Sequence, residues 1–223
     1  MNTELARFNM IEQQIRPWEV LDPAVLELLA QMRREDFLPA GLKALAFVDT
    51  MVPLLAGAPG AVMLEPKVEA RLLQALHLQH HEKVLEIGAG SGFMAALLAR
   101  QAMQVTTLEC VPALAAMARE NLARQAAYNV SVREVTVEQG AAGLAAEGPF
   151  DAIVLSGSVA ELPKALLMQL KPGGRLVAVV GEEPVMRARL FTRVSDSAWS
   201  DTDLFDTVAP RLLGFAEKSR FSF

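Results

Sequence analysis

The stretch Val84–Gly92, VLEIGAGSG, constrains this chain more than any other. A short apolar-rich run meets glycine at 88, 90 and 92, and an alanine- and leucine-rich helical stretch follows to about Arg100. Glycine tolerates positive φ and carries no Cβ, so a strand breaking here turns straight into a helix and leaves bare backbone for a ligand. The surrounding pattern repeats this alternation. Apolar runs at Val84–Ile87, Val105–Leu108, Val130–Val137, Asp151–Leu155 and Arg175–Val180 are separated by helical spacings that open at Pro112 and Pro163 and by a KPGG turn. Such an order implies a parallel sheet covered by helices on both faces. Two more strands, near Arg189–Val194 and Arg211–Ala216, are expected as an antiparallel edge hairpin.

Upstream of the glycines the chain reads differently. Leu5, Phe8, Ile11 and Ile15 recur at helical spacing until Pro17. Asp22 is placed to cap a second helix with Pro23 at its first position. The stretch from Arg34 to Met63 is the least regular, with a loop at Gly57–Gly60, and Pro66 starts a helix to about Leu76. The expected organisation is one compact unit. Residues 1–65 form N-terminal helices and an active-site segment packed on a core of residues 66–223. Of the 223 residues 52% are hydrophobic and 21% charged, which suits a globular chain. The net charge of −5 argues against a nucleic-acid backbone as partner. No run of about 18 apolar residues is present, so no membrane span is expected. The single cysteine excludes an internal disulfide and fits a reducing cytoplasm.

The glycine loop alone is compatible with dinucleotides, nucleoside triphosphates or S-adenosylmethionine. The dinucleotide fingerprint wants a glycine at position 93, where this chain has Phe93, and the phosphate loop wants a lysine that does not follow here. Glu86 precedes the turn, where a carboxylate would meet an ammonium or an ordered water. Glu109 ends the next strand, where it would chelate the two hydroxyls of a ribose. A ligand with a ribose, an ammonium and no phosphate is S-adenosylmethionine. Gly88, Ala89 and Gly90 are expected against its amino-acid end, with Cys110 close by.

With these residues in view, the sequence resembles the protein-L-isoaspartate O-methyltransferases. MIEQQIRPWEVLDPAVLELLAQMRREDFLP is similar to that family's N-terminal helices, AFVDTMVPL to its next segment, and VLEIGAGSGFMAALLA to its cofactor motif. GPFDAIVLSGSVAELPKALLMQLKPGGRLVAVVG is similar to its fourth and fifth strands. The resemblance implies a doubly wound, Rossmann-like, seven-stranded class I methyltransferase sheet with an N-terminal helical extension. It also implies S-adenosylmethionine as cofactor and methylation of damaged aspartyl carboxylates, a protein-repair reaction. Two stretches depart from the family. Its G-Q-T-I-S-Q-P segment, whose Thr and Ser line the reaction site, reads GAVMLEP here, so Val62 and Leu64 replace the hydroxyls and Glu65 replaces the Gln. Its third-strand Asp, which binds the adenine amino group, corresponds to Thr136, with Glu134 and Glu138 flanking it on the same strand face.

The altered segment, which includes Met63, leaves three readings open: weakened isoaspartyl methylation, another protein or small-molecule acceptor, or a non-catalytic binding module. Ser156 and Ser158 follow the fourth strand and are expected near the cleft. His77, His80 and His81 read as solvated histidines at a helix end, and no metal site is expected. Cys110 has no neighbouring base or cation in the sequence that would activate it as a nucleophile.

Overall fold

The computed structural model describes residues 2–58 and 60–217. Pro59, inside the expected Gly57–Gly60 loop, and residues 218–223 lie outside it. The N-terminal extension begins with α1 (Thr3–Met10), capped by the Asn2 side chain, and runs through a wider helical turn at Ile11–Ile15. Asp22 caps α2 (Pro23–Gln31) by accepting from the Ala24 N–H, with Pro23 at the first helical position. Two short antiparallel pieces, β1 (Val52–Pro53) and β2 (Val62–Met63), bring the chain to α3 (Pro66–Leu76).

The sheet follows. Its strands are β3 (Lys83–Ile87), β4 (Gln104–Glu109), β5 (Val130–Glu134), β6 (Phe150–Val159), β7 (Leu170–Glu182), β8 (Val185–Arg193) and β9 (Trp199–Asp206). The helices between them are α4 (Phe93–Gln101), α5 (Pro112–Arg124), α6 (Val137–Ala142) and α7 (Lys164–Leu167). The spatial order is β5-β4-β3-β6-β7-β8-β9, parallel from β5 to β7 and antiparallel beyond. The chain therefore builds outward from β3 in one direction, then returns to its other side as β6. That reversal places a ligand crevice at the carboxyl ends of β3, β4 and β6. This is the seven-stranded doubly wound sheet expected from the sequence.

Three local expectations are corrected. The third strand stops at Glu134, because Thr136 caps α6 and Val137 is already helical. The edge hairpin is β8–β9; Arg211–Ala216 is not a strand, and Arg211 makes only an isolated parallel bridge with Ser158. The reason for the second is charge. Strand β9 carries Asp201, Asp203 and Asp206 opposite Arg187 and Arg189, so an edge strand held by ion pairs has little apolar signal. The apolar run around Leu212 instead turns at Gly214, φ +83°, and packs Leu212 and Phe215 onto one sheet face. Finally, the KPGG turn lies inside β7 as a bulge. Phe150 pairs with Leu170 and Ala152 already with Arg175, and the helix before it is only Lys164–Leu167.

The two sheet faces bury alternate residues, as the strand period demands. Leu85, Ile153 and Leu176 face α6 and α7, while Val84, Val154 and Val177 share one core with the N-terminal extension, α3 and α4. Within that second core lies a fully buried cation, Arg34. Its guanidinium pairs with Glu69 of α3, donates to the Leu64 carbonyl and sits 4.7 Å over the Phe93 ring. Removing one member of a buried pair strands the other, typically at about 3–5 kcal/mol, whereas replacing both with apolar groups is often neutral. Arg34→Met is expected to lower unfolding stability by roughly 3 kcal/mol in urea titrations, and adding Glu69→Leu to recover most of it. Equal stability of Arg34→Met and wild type would show the pair holds nothing.

Candidate active site

A cleft of about 210 Å³ opens at the carboxyl ends of β3, β4 and β6. Its floor is the glycine turn. Gly88 adopts φ +93°, a conformation that favours glycine, and a Cβ there would have to displace the Leu212 methyl 2.8 Å away. Gly92 starts α4 at φ +84° and packs against the Ala118 backbone, where a Cβ would stand at 3.2 Å. One glycine thus serves the cleft and the other the helix packing.

Glu109 closes β4 with its carboxylate pinned by backbone. Oε2 accepts from Gly90 N at 2.9 Å, and Oε1 accepts from Cys110 N and Val111 N at 2.9 and 3.0 Å. A carboxylate oxygen accepts more than one hydrogen bond, so Oε2 keeps capacity toward the cleft. Glu86 is fully buried on β3. Ser156 Oγ donates to its Oε1 at 2.7 Å, and Oε2 has no partner. Burial pushes its carboxyl up to about 8, opposed by the neighbouring Thr107 and Ser156 hydroxyls and with a further push from Glu109 and Glu69. Glu69 also lines the cleft. Burial raises it to about 7, opposed by the adjoining Arg34 guanidinium.

The structure brings together Glu86, Gly88, Ala89, Gly90, Glu109, Cys110 and Ser156 around one cleft, which Val62, Met63 and Leu64 also line. It separates others. Thr136 does not line the cleft; its hydroxyl accepts from Gln139 N at 3.2 Å in a reciprocal cap. The strand register that set Glu134 and Glu138 beside it is gone, since Glu134 ends β5 and Glu138 lies in the first turn of α6, both exposed. Val135 and Gly140 occupy that end of the cleft instead. Glu65 precedes α3 and is not a cleft residue. Ser158 is buried outside the cleft, with its Oγ donating to Ala209 O at 2.7 Å. The Cys110 thiol is pushed up by burial and by Glu109, away from thiolate formation. His77 ends α3 in a left-handed turn, and all three histidines are exposed. Among the described residues no three His, Cys, Asp or Glu side chains are grouped to hold a metal ion.

Sequence reasoning missed Arg34, Glu69 and Arg211. For Glu69 a signal existed: Leu72, Leu73 and Leu76 stand three, four and seven residues on, which puts this carboxylate on the apolar face of α3.

Comparison with known proteins gives these features a lineage. The family model described as Protein-L-isoaspartate(D-aspartate) O-methyltransferase matches residues 6–208. The chain belongs to that family. A relative from Methanoculleus marisnigri named protein-L-isoaspartate O-methyltransferase is 40% identical over 175 residues, covering 78% of this chain and 77% of its own. A second, from Marinobacter nauticus and named protein-L-isoaspartate O-methyltransferase 2, is 37% identical over 206 residues, covering 92% and 91%. The fold is shared with a Plasmodium falciparum structure described as a protein-L-isoaspartate O-methyltransferase in complex with S-adenosyl-L-homocysteine. The TM-score is 0.75 at 21% identity, over 96% of this chain and 99% of that one. Family members are S-adenosylmethionine-dependent methyltransferases, and this chain is one.

The two raised acids set a pH dependence. A carboxyl with a folded pKa above its unfolded value binds more protons when native, so stability is greatest below about 4.5 and falls as pH rises toward the folded value. Without ligand, stability is expected to decline from pH 5 to 8, at up to roughly 1.4 kcal/mol per unit for each group still protonated. Glu86→Gln is expected to flatten that decline, most clearly between pH 7 and 8. Parallel curves for the two proteins in urea denaturation would rule out a buried neutral Glu86.

Proposed function

We propose that this protein methylates the carboxylate of an isoaspartyl-type residue in a protein or peptide. The observation carrying the reading is the family match across residues 6–208. The cleft supports the cofactor end. An unpartnered, fully buried Glu86 oxygen suits an ammonium, and a backbone floor at Gly88–Gly90 suits an extended amino-acid chain. In this reading Glu86 holds the amino group, Glu109 the ribose hydroxyls, and Val135 and Gly140 flank the adenine.

Bound S-adenosylmethionine supplies a methyl group on a positively charged sulfur, which a carboxylate oxygen displaces in line without any proton transfer. An aspartyl-type carboxyl with an ordinary pKa near 4 is ionised at neutral pH and needs no base. The chain's task is to align the acceptor and to exclude water. Here the altered segment matters. Val62 and Leu64 cannot hydrogen-bond a carboxylate, the Ser156 hydroxyl is engaged by Glu86, and Ser158 by Ala209. The reaction is therefore slower than a hydroxyl-lined wall would allow, since modest misalignment alone costs on the order of a hundredfold. These replacements also favour a second reading, a different acceptor on the same donor site. Calorimetric titration with S-adenosylhomocysteine tests the donor site, and methylation of an isoaspartyl peptide against its aspartyl counterpart decides between the acceptors.

Two outcomes follow. Glu109→Ala is expected to weaken S-adenosylhomocysteine binding by roughly one to two decades, as for loss of hydrogen bonds to a charged group. Unchanged affinity would remove Glu109 from the ribose site. Val62→Thr with Leu64→Ser is expected to raise isoaspartyl turnover by roughly tenfold or more. It should also cost about 2–3 kcal/mol of stability, because Leu64 is a core residue. No turnover in either protein would reject the isoaspartyl acceptor.

A further inference from the structure

An anionic acceptor would find carboxyl groups and few cations in this cleft. Glu69, Glu86 and Glu109 all line it, and among the described residues a single cationic side chain lines it with them, Arg211. Arg34 is not available to a ligand, because its guanidinium is engaged by Glu69 and the Leu64 carbonyl. We propose that Arg211 is the acceptor-binding residue, taking the carboxylate or a neighbouring anionic group of the methyl acceptor. This rests on the carboxyl-methyltransferase reading above.

Placement supports the role. Residues 210–212 run beside the extended end of β6. Ser158 N donates to Pro210 O at 2.8 Å, and Leu212 N donates to Ser158 O at 2.9 Å. This bridge sets Arg211 in register with Ser158, whose other partner is Val179 of β7. Paired residues in adjacent strands share a sheet face. Val179 faces the core that also holds Met63 and Leu64, so Arg211 stands on the face of the altered wall. Its neighbours touch both sides of the reaction centre. Pro210 lies against Gly60, at the head of the altered segment, where a Cβ would be 3.6 Å away, and Leu212 covers Gly88.

The guanidinium is anchored but not saturated. One terminal nitrogen donates to Gly181 O at 3.0 Å, at the carboxyl end of β7. Nε lies 3.4 Å from the Glu217 carboxylate, which is largely exposed. The other terminal nitrogen is buried and has no partner. A buried charged donor left open is costly, and a carboxylate is the group its geometry fits best. The space over β6 and β7 lies beside the β3–β4 donor site along the same carboxyl edge of the sheet. Arg211 supplies there the hydrogen bonds that Val62 and Leu64 cannot. It also lies past residue 208, where the family match ends.

The test uses the full chain and three proteins: wild type, Arg211→Gln and Arg211→Lys. S-adenosylhomocysteine affinity, by calorimetry, is expected to be equal in all three and serves as the control for folding. Binding of an isoaspartyl peptide to the S-adenosylhomocysteine-loaded protein is then measured beside the same peptide with the carboxylate replaced by its neutral amide. Wild type is expected to favour the acid. Arg211→Gln is expected to lose roughly 10- to 100-fold in acid binding and to raise the peptide KM similarly, with the amide unaffected and kcat changed less. Arg211→Lys, with the charge but not the fork, is expected to fall between. A wild type that methylates the peptide while Arg211→Gln keeps its KM and its preference for the acid overturns this inference alone. A wild type that neither binds nor methylates the peptide overturns the carboxyl-acceptor reading and this inference with it. A weakened cofactor affinity in Arg211→Gln assigns the residue to the donor site and likewise overturns the inference.

Discussion

The guanidinium of Arg34 ties the N-terminal extension to the cleft. It is fully buried, a state that a cation tolerates only with good partners on every side. It finds three, in separate parts of the chain: Glu69 on α3, the Leu64 carbonyl at the end of the altered segment, and the Phe93 ring at the start of α4, while its Nε is left without a hydrogen-bond partner. These are the wall, the side and the floor of the same cleft. Among the described residues the extension contributes no strand to the large sheet, and without this link the Val62–Leu64 wall would be held by apolar contact and a two-residue β-pairing. Arg71 reinforces the docking elsewhere, bonding the Trp18 carbonyl, Glu19 and the Leu204 carbonyl of β9.

What the sequence made legible was whatever depends on period and on backbone geometry. The strand run into Gly88, the acids at Glu86 and Glu109, and the helix openings at Pro23, Pro66 and Pro112 each rest on local chemistry that tertiary context did not change. Thr136 failed for a local reason as well. A threonine three residues before a glutamine is a helix cap, and apolar alternation across Val130–Val137 concealed it. Strand β9 was illegible because its pairing is ionic, with aspartates where an alternation count wants apolar residues. Arg34, Glu69 and Arg211 were illegible in a deeper sense. A charged side chain reads by default as solvated, and only long-range packing reveals one as buried or turned into a cleft.

The distribution of these charges makes the cleft selective. Glu86 faces a low-dielectric pocket, and burial holds it toward its neutral form, whereas Glu69 has the Arg34 guanidinium beside it. A neutral carboxylic acid costs little to bury and draws in no counter-ion. A cationic ligand reverses the balance, because ionised carboxylates beside it become favourable in a site that water has left. The pocket is thus poorly matched to an anion and well matched to a ligand carrying positive charge, which is the character of the methyl donor at both its amino group and its sulfur.

The same balance bears on turnover. For a carboxylate acceptor, methyl transfer removes the positive charge on sulfur and neutralises the acceptor as an ester. On the donor side, the ligand loses one of its two positive charges. Were Arg211 the acceptor's partner, an ester would offer it no charge, and the Glu217 carboxylate, 3.4 Å from Nε, would be left as its charged neighbour. Both ends of the site then bind the reactant state by charges that the reaction itself cancels. Ground-state attraction of this kind aids capture and release but does not accelerate the chemical step, which only interactions stronger in the transition state can do. The alignment that a hydroxyl-bearing wall would have provided is therefore not recovered by electrostatics alone.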